Sequence, residues 1–124
     1  MTNIYPEEIG FVATNKTLAK QVFEDGIGLT LLSETASSLV YRLNEYTQLY
    51  IFTDGRPHPL AQNYVSFSAS RETVLETAEA VSEWTEGVRL KTMKDDTGRQ
   101  FLFLTIDFPD GSDLSLSDQF LLRH

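Results

Sequence analysis

Ile9-Gly10-Phe11-Val12-Ala13 returns 56 residues later as Val65-Ser66-Phe67-Ser68-Ala69, with a β-branched residue in front and the Phe and Ala kept in place. Leu18 stands the same 56 residues before Val74, and Gly28-Leu29-Thr30-Leu31 stands 59 before Gly87-Val88-Arg89-Leu90. An echo at a fixed period marks a repeated supersecondary unit. The three extra residues between the second pair of anchors predict a second helix about one turn longer than the first.

The patterns around both anchors agree with a repeat. Residues 8–13 are apolar and β-prone, and read as a strand. Thr14 or Asn15 then offers an N-cap, and the stretch to Asp25 carries Leu18, Ala19 and Val22 at helical spacing. Gly26 and Gly28, both tolerant of a positive φ, are expected to end that helix. Residues 29–32, 39–43 and 48–53 read as three strands separated by polar turns. Asp54-Gly55-Arg56-Pro57-His58-Pro59 is the strongest loop signal in the chain and lies almost at its midpoint. Beyond it the order restarts. Residues 64–69 form a strand, and a helix begins at Ser70 with Glu72 in its first turn. Its apolar positions are Val74, Leu75, Ala78, Val81 and Trp84, and Gly87 closes it. Strands over 88–93, 101–107 and 113–117 follow, with turns at 95–98 and 109–111. The predicted order is βαβββ, linker, βαβββ: a single domain over 1–124, with modules at 5–53 and 63–118 and a linker at 54–62.

Composition narrows what such a domain can do. The chain has 124 residues, 41% hydrophobic and 23% charged, a globular mixture of single-domain size. Ten Lys and Arg against 18 Asp and Glu leave a net charge of −8, which speaks against a nucleic-acid surface and suits a neutral or cationic ligand better. The absence of cysteine excludes disulfides, thiolate metal sites and Cys nucleophiles. His58 and His124 are the only histidines. The first residues lack the basic and apolar regions of a signal peptide, and no apolar run approaches the roughly 20 residues of a membrane span, so a cytoplasmic protein is expected.

Two βαβββ units around a central loop resemble the vicinal oxygen chelate superfamily, which includes glyoxalase I, extradiol dioxygenases, and bleomycin and fosfomycin resistance proteins. The resemblance runs from about residue 5 to residue 118. Residues 22–29, Val-Phe-Glu-Asp-Gly-Ile-Gly-Leu, stand where the family often has Phe-Tyr, three residues, then Leu-Gly-Leu. Asn15 matches a common helix-capping Asp, and Tyr64-Val65-Ser66-Phe67 falls where the family tends to show His-Ile-Ala-Phe. Phe108-Pro109-Asp110-Gly111-Ser112 looks like the family's Asp-Pro-Asp-Gly-Asn turn. The resemblance implies an α+β fold in which the two modules form a curled mixed sheet with an open cup, helices outside. It also implies a homodimer, since single-unit members usually complete their cups across a subunit interface.

Family members that do metal chemistry draw ligands from four cup-facing strand positions, usually His, Gln or Glu. Carried over, these fall on Glu8, near Tyr50, on Tyr64 and on Ser115. One carboxylate in four is too few for a catalytic divalent ion, which needs about three protein ligands. A shift of one residue could bring in Asp113 but would repair neither Tyr50 nor Tyr64, so metal-dependent chemistry is disfavoured and no metal, cofactor or catalytic residue is assigned. By strand alternation, Ile9, Phe11 and Ala13 supply the helix-facing side of the first strand and Glu8, Gly10 and Val12 the other. The inferred cup lining is Glu8, Tyr50, Phe52, Tyr64, Ser66, Ser68, Asp113 and Ser115. Aromatics with a few hydroxyls and acids suit a small-molecule pocket, and a carboxylate can orient a cation. The expected function is metal-free binding of a small aromatic or cationic molecule. A glyoxalase- or dioxygenase-like enzyme and a structural module with a filled cup are the alternatives.

Other features read as structural. His58 is expected to be an exposed loop histidine. Gly-x-Ser-x-Gly is absent, and Gly26-Ile27-Gly28 ends a helix where a dinucleotide fingerprint would open one. Glu72, Glu76, Glu79 and Glu83 form the solvated stripe of the second helix, and Trp84 is a core or interface anchor. Glu8 and Asp113 could form an acid–base pair if the first and last strands face one another.

Overall fold

A computed structural model describes residues 4–120; His124 lies outside them. The first module comprises β1 (Glu8–Val12), α1 (Lys16–Lys20) running on into a π-helical stretch (Gln21–Ile27), β2 (Thr30–Glu34), β3 (Ser38–Arg42) and β4 (Gln48–Phe52). The second comprises β6 (Tyr64–Ser68), α2 (Arg71–Val81), β7 (Val88–Lys94), β8 (Gln100–Asp107) and β9 (Asp113–Ser117). Between them the linker contributes β5 (Ala61–Gln62). The strand orders are β2-β3-β4-β1-β5 and β6-β9-β8-β7. The fold is therefore α+β, as expected, with one mixed sheet from each module and no closure into a barrel.

Each module closes its first strand in parallel against its last. β1 pairs β4 from Glu8↔Gln48 to Val12↔Phe52, and β6 pairs β9 from Tyr64↔Asp113 to Ser68↔Ser117. Antiparallel partners complete both sheets. Both helices begin on a polar cap that satisfies an orphan amide. Asn15 Oδ1 accepts the Leu18 N–H at 3.0 Å, and Ser70 Oγ accepts the Thr73 N–H at 3.1 Å.

One core serves both modules. Phe11, Leu49 and Ile51 from the first sheet and Leu104, Ile106 and Leu114 from the second are fully buried, together with Val22, Phe23, Val74 and Val81 from the helices. Phe108 of the second module meets Phe11 edge-on at 5.6 Å and stacks with Phe23 at 6.4 Å between centroids. Tyr41 is fully buried beside Phe23, and its hydroxyl donates to Glu24 Oε2 at 2.7 Å. Burial, reinforced by that bond to the carboxylate, pushes the phenol far above its ordinary range. Across the modules, the Thr77 hydroxyl donates to the Gly26 carbonyl at 3.2 Å, and the Thr14 N–H to Asp110 Oδ2 at 2.9 Å.

Four local expectations change. Gly26 is not a cap: it lies inside the π-helical stretch, where a Cβ would come within 2.9 Å of Val81 Cγ2, so it permits close helix packing. Of the two, Gly28 takes the left-handed conformation, at φ 90°, and its N–H closes on the Phe23 carbonyl. α2 ends at Val81, well short of Gly87, and the three extra residues of the second repeat go into the turn after it. Leu75 is exposed, while Thr77, passed over as polar, is buried beside Val74, Ala78 and Val81. Trp84 is half-buried against the core, and Glu72, Glu76, Glu79 and Glu83 face solvent. Among the described residues, no helix is long and apolar enough to cross a membrane.

Candidate functional site

Strand alternation leaves Glu8, Gly10 and Val12 on the face of β1 away from the helices, in register with Gln48, Tyr50 and Phe52. Gly10 decides what lies there. A Cβ at this position would sit 2.2 Å from the Leu60 carbonyl oxygen, so the linker rests directly on β1. Having crossed Gly10, the chain adds β5 in parallel, pairing Gly10↔Ala61 and Phe11↔Gln62.

The linker is tied down by His58. Its carbonyl accepts the Ala61 N–H at 3.0 Å and its Nδ1 accepts the Leu60 N–H at 3.2 Å. The Nδ1 contact places the imidazole proton on Nε2 in its neutral form. The ring stacks on Phe52 at 4.0 Å between centroids and 20° between planes.

Two cavities result. The first, about 300 Å³, is lined by Glu8, Ile9, Gly10, Tyr50, Phe52, His58 and Leu60. It is an aromatic slot with a single carboxylate. The second, about 520 Å³, shares Glu8, Ile9, Gly10 and Leu60 with the first and adds Pro59, Gln62, Tyr64, Val65 and Ser66. In its wall a hydroxyl chain crosses two strands. The Tyr64 hydroxyl lies 3.0 Å from Ser115 Oγ, and Ser115 donates to Ser66 Oγ at 2.9 Å. Ser115 is fully buried beneath the cavity, which it reaches only through its two partners.

The expected lining thus divides. Glu8, Tyr50 and Phe52 meet in the first cavity; Glu8, Tyr64 and Ser66 meet in the second, backed by Ser115. Ser68 is exposed and Asp113 half-buried, and neither lines either cavity. Glu8 and Asp113 belong to different sheets and no cavity brings them together, so the acid–base pair has no geometry to support it. His58, Leu60 and Gln62 are site residues that sequence reasoning passed over, with His58 standing exposed in the loop as expected. A histidine between two prolines was the available signal, because such a loop is stiff enough to hold a ring in place.

The four positions where relatives of this fold bind metal do not fit a divalent ion. The Tyr50 hydroxyl donates to Gln48 Oε1 at 3.2 Å, and the Tyr64 and Ser115 hydroxyls bond to each other. Glu8 is the one strong donor of the set, and among the described residues no three His, Asp or Glu side chains come together to hold an ion.

No protein-family model matches the chain, and no curated protein matches its sequence. Solved structures do. A lactoylglutathione lyase from Agrobacterium tumefaciens superposes with a TM-score of 0.64 at 14% identity, over 100% of this chain and 98% of that one. A glyoxalase family protein from Enterococcus faecalis gives 0.61 at 22% identity, over 90% and 94% of the two chains. A glyoxalase/bleomycin resistance protein from Albidiferax ferrireducens T118 gives 0.62 at 16%, over 90% and 95%. Parallel first-to-last strand pairing in both modules and superposition over 90% or more of the chain agree: this chain has the fold of these glyoxalase and glyoxalase/bleomycin resistance structures.

Proposed function

We propose that this protein binds a small aromatic, positively charged molecule without the help of a metal ion. The observation that carries the reading is the slot of about 300 Å³ between Tyr50, Phe52, His58 and Leu60, with Glu8 as its one charged wall residue. Its size and its mainly apolar lining with a single orienting charge are those of a ligand pocket. The rings supply area for a flat apolar group, and the carboxylate favours a cation beside it. Two further parts of the proposal are a cytoplasmic location and a homodimer. Sedimentation velocity tests the dimer.

A thermal-shift series with phenethylamine, 3-phenylpropionate and divalent metal salts tests the function. Phenethylamine raises the melting temperature, corresponding to about 2.7 kcal/mol at 100 times its Kd. The anion does not, and Phe52→Ala abolishes the effect. Stoichiometric metal in the purified protein, lost on Glu8→Ala, overturns the metal-free reading in favour of a glyoxalase- or dioxygenase-like enzyme. No shift with any compound leaves a structural module.

A further inference from the structure

The two cavities are neighbours by construction, since Glu8, Ile9, Gly10 and Leu60 line both. Their walls differ in chemistry, and the hydroxyl chain gives the second one a direction. Ser115 has one proton and gives it to Ser66. The Tyr64 hydroxyl must therefore donate to Ser115. Ser66 accepts at its oxygen and keeps its own proton for something else, and Ser66 is exposed in the cavity wall. A chain of hydroxyls pointing one way polarises its members, so the last proton is a better donor than that of an isolated serine. The second cavity thus has in its lining both a strengthened O–H donor, Ser66, and an acceptor, the Glu8 carboxylate.

We infer that the two cavities form one bipartite site for an arylalkyl ammonium compound bearing a neutral carbonyl group. The inference rests on the function proposed above and adds the second half of the ligand. The aromatic ring occupies the slot between Tyr50, Phe52 and His58, the ammonium lies at Glu8, and the carbonyl oxygen accepts the Ser66 proton. The acceptor is uncharged because a carboxylate there would face Glu8. Leu60 stands between the two halves and sets how far apart ring and carbonyl must be.

Calorimetric titration of the full chain with L-phenylalaninamide, phenethylamine, 3-phenylpropanamide and L-phenylalanine tests this. L-Phenylalaninamide binds about tenfold more tightly than phenethylamine, the worth of one good hydrogen bond. 3-Phenylpropanamide, without the ammonium, and L-phenylalanine, with its carboxylate, both bind more weakly than the amide. In Ser66→Ala the amide loses its advantage while phenethylamine binds as before. Ser115→Ala removes part of the advantage, because Ser66 keeps its proton but not its polarisation. Equal affinities for the amide and phenethylamine in the native protein, or an advantage that survives Ser66→Ala, overturn the bipartite site and leave the aromatic slot standing. Failure of all four compounds to bind overturns both.

Discussion

Glu8, Gly10 and Val12 hold the same registers against Gln48, Tyr50 and Phe52 as Tyr64, Ser66 and Ser68 hold against Asp113, Ser115 and Ser117. The backbones of the two modules repeat here, while the side chains have traded places. The first module leaves its first strand bare at Gly10 and sets its aromatics on the last strand. The second carries Tyr64 on the first strand, and of its other five positions four are serines and one is Asp113. On the helix side the repeat is conservative in kind: Phe11 matches Phe67, Leu49 matches Leu114 and Ile51 matches Leu116. Packing constrains one face of each sheet, and the other face is available for chemistry.

The largest test of this comparison lies on the packed side. Phe11 is fully buried against Phe23 and Phe108, whereas Phe67 is half-buried. Phe11→Ala should cost about 3–5 kcal/mol in urea denaturation, as full aromatic truncations do. Phe67→Ala should cost clearly less, and equal losses would mean the modules contribute equally to the core. On the open side, Gly10→Ala forces a methyl group into the Leu60 carbonyl and should cost about 1–3 kcal/mol, with the linker displaced and phenethylamine binding lost. Ser66→Ala, at the matching position, takes the acceptor from the buried Ser115 hydroxyl and should cost about 0.5–1.5 kcal/mol, the net worth of one hydrogen bond.

A third pair sits just past the last strand of each module. The Asp118 N–H bonds the Leu102 carbonyl as the Thr53 N–H bonds the Ser37 carbonyl. Asp118 is fully buried, its Oδ1 accepts the Leu102 N–H at 2.7 Å, and Arg71 approaches its Oδ2 at 3.7 Å. Removing that acceptor with Asp118→Ala should cost about 1–3 kcal/mol. Thr53 Oγ1 is buried with no partner among the described residues, so Thr53→Val should leave thermal stability unchanged or slightly raised.

The smallest effect concerns the clasp between modules. Burial alone would raise the Asp110 pKa, but the Ser112 hydroxyl and the amides of Thr14 and Ser112 outweigh it and hold the carboxyl below its ordinary range. A lowered folded-state pKa stabilises the native state above the ordinary aspartate value, and that share is lost as pH falls through the folded value. The protection of the Thr14 amide, relative to its intrinsic exchange rate at each pH, should therefore fall with acidification below the ordinary aspartate range. In Asp110→Asn the exchange should lose that titration.

Much of the fold could be read before any coordinates, because its evidence is repeated. Two anchors, two caps and two sets of strands make the same statement, and the turn at 108–112 carries its own chemistry in Asp110. What could not be read depends on contacts between distant segments. β5 is two residues whose partner is the bare Gly10, and nothing in Ala61-Gln62 itself announces a strand. Gly26 looks like a cap until Val81 is known to pack against it. The π-helical stretch hides because its apolar residues fit an ordinary helical period over so short a span. In the site, Glu8, Tyr50, Phe52, Tyr64 and Ser66 followed from alternation along strands. His58 and Leu60 did not, since a loop has no alternation to follow.

Each sheet ends in an outer strand, β2 or β7, that is largely exposed, and such edges invite pairing with other chains and hence aggregation. β2 is short and carries a register shift between Leu31 and Ser33. β7 is longer and regular, and Arg89, Lys91 and Lys94 stand along it in a protein with only ten Lys and Arg in all. Arg89 is paired with Asp107 of β8, but β7 itself carries no acid, so pairing it with its own copy would bring like charges together. The net charge of −8 opposes self-association of the chain as a whole, and along β7 the scarce basic residues oppose self-pairing locally.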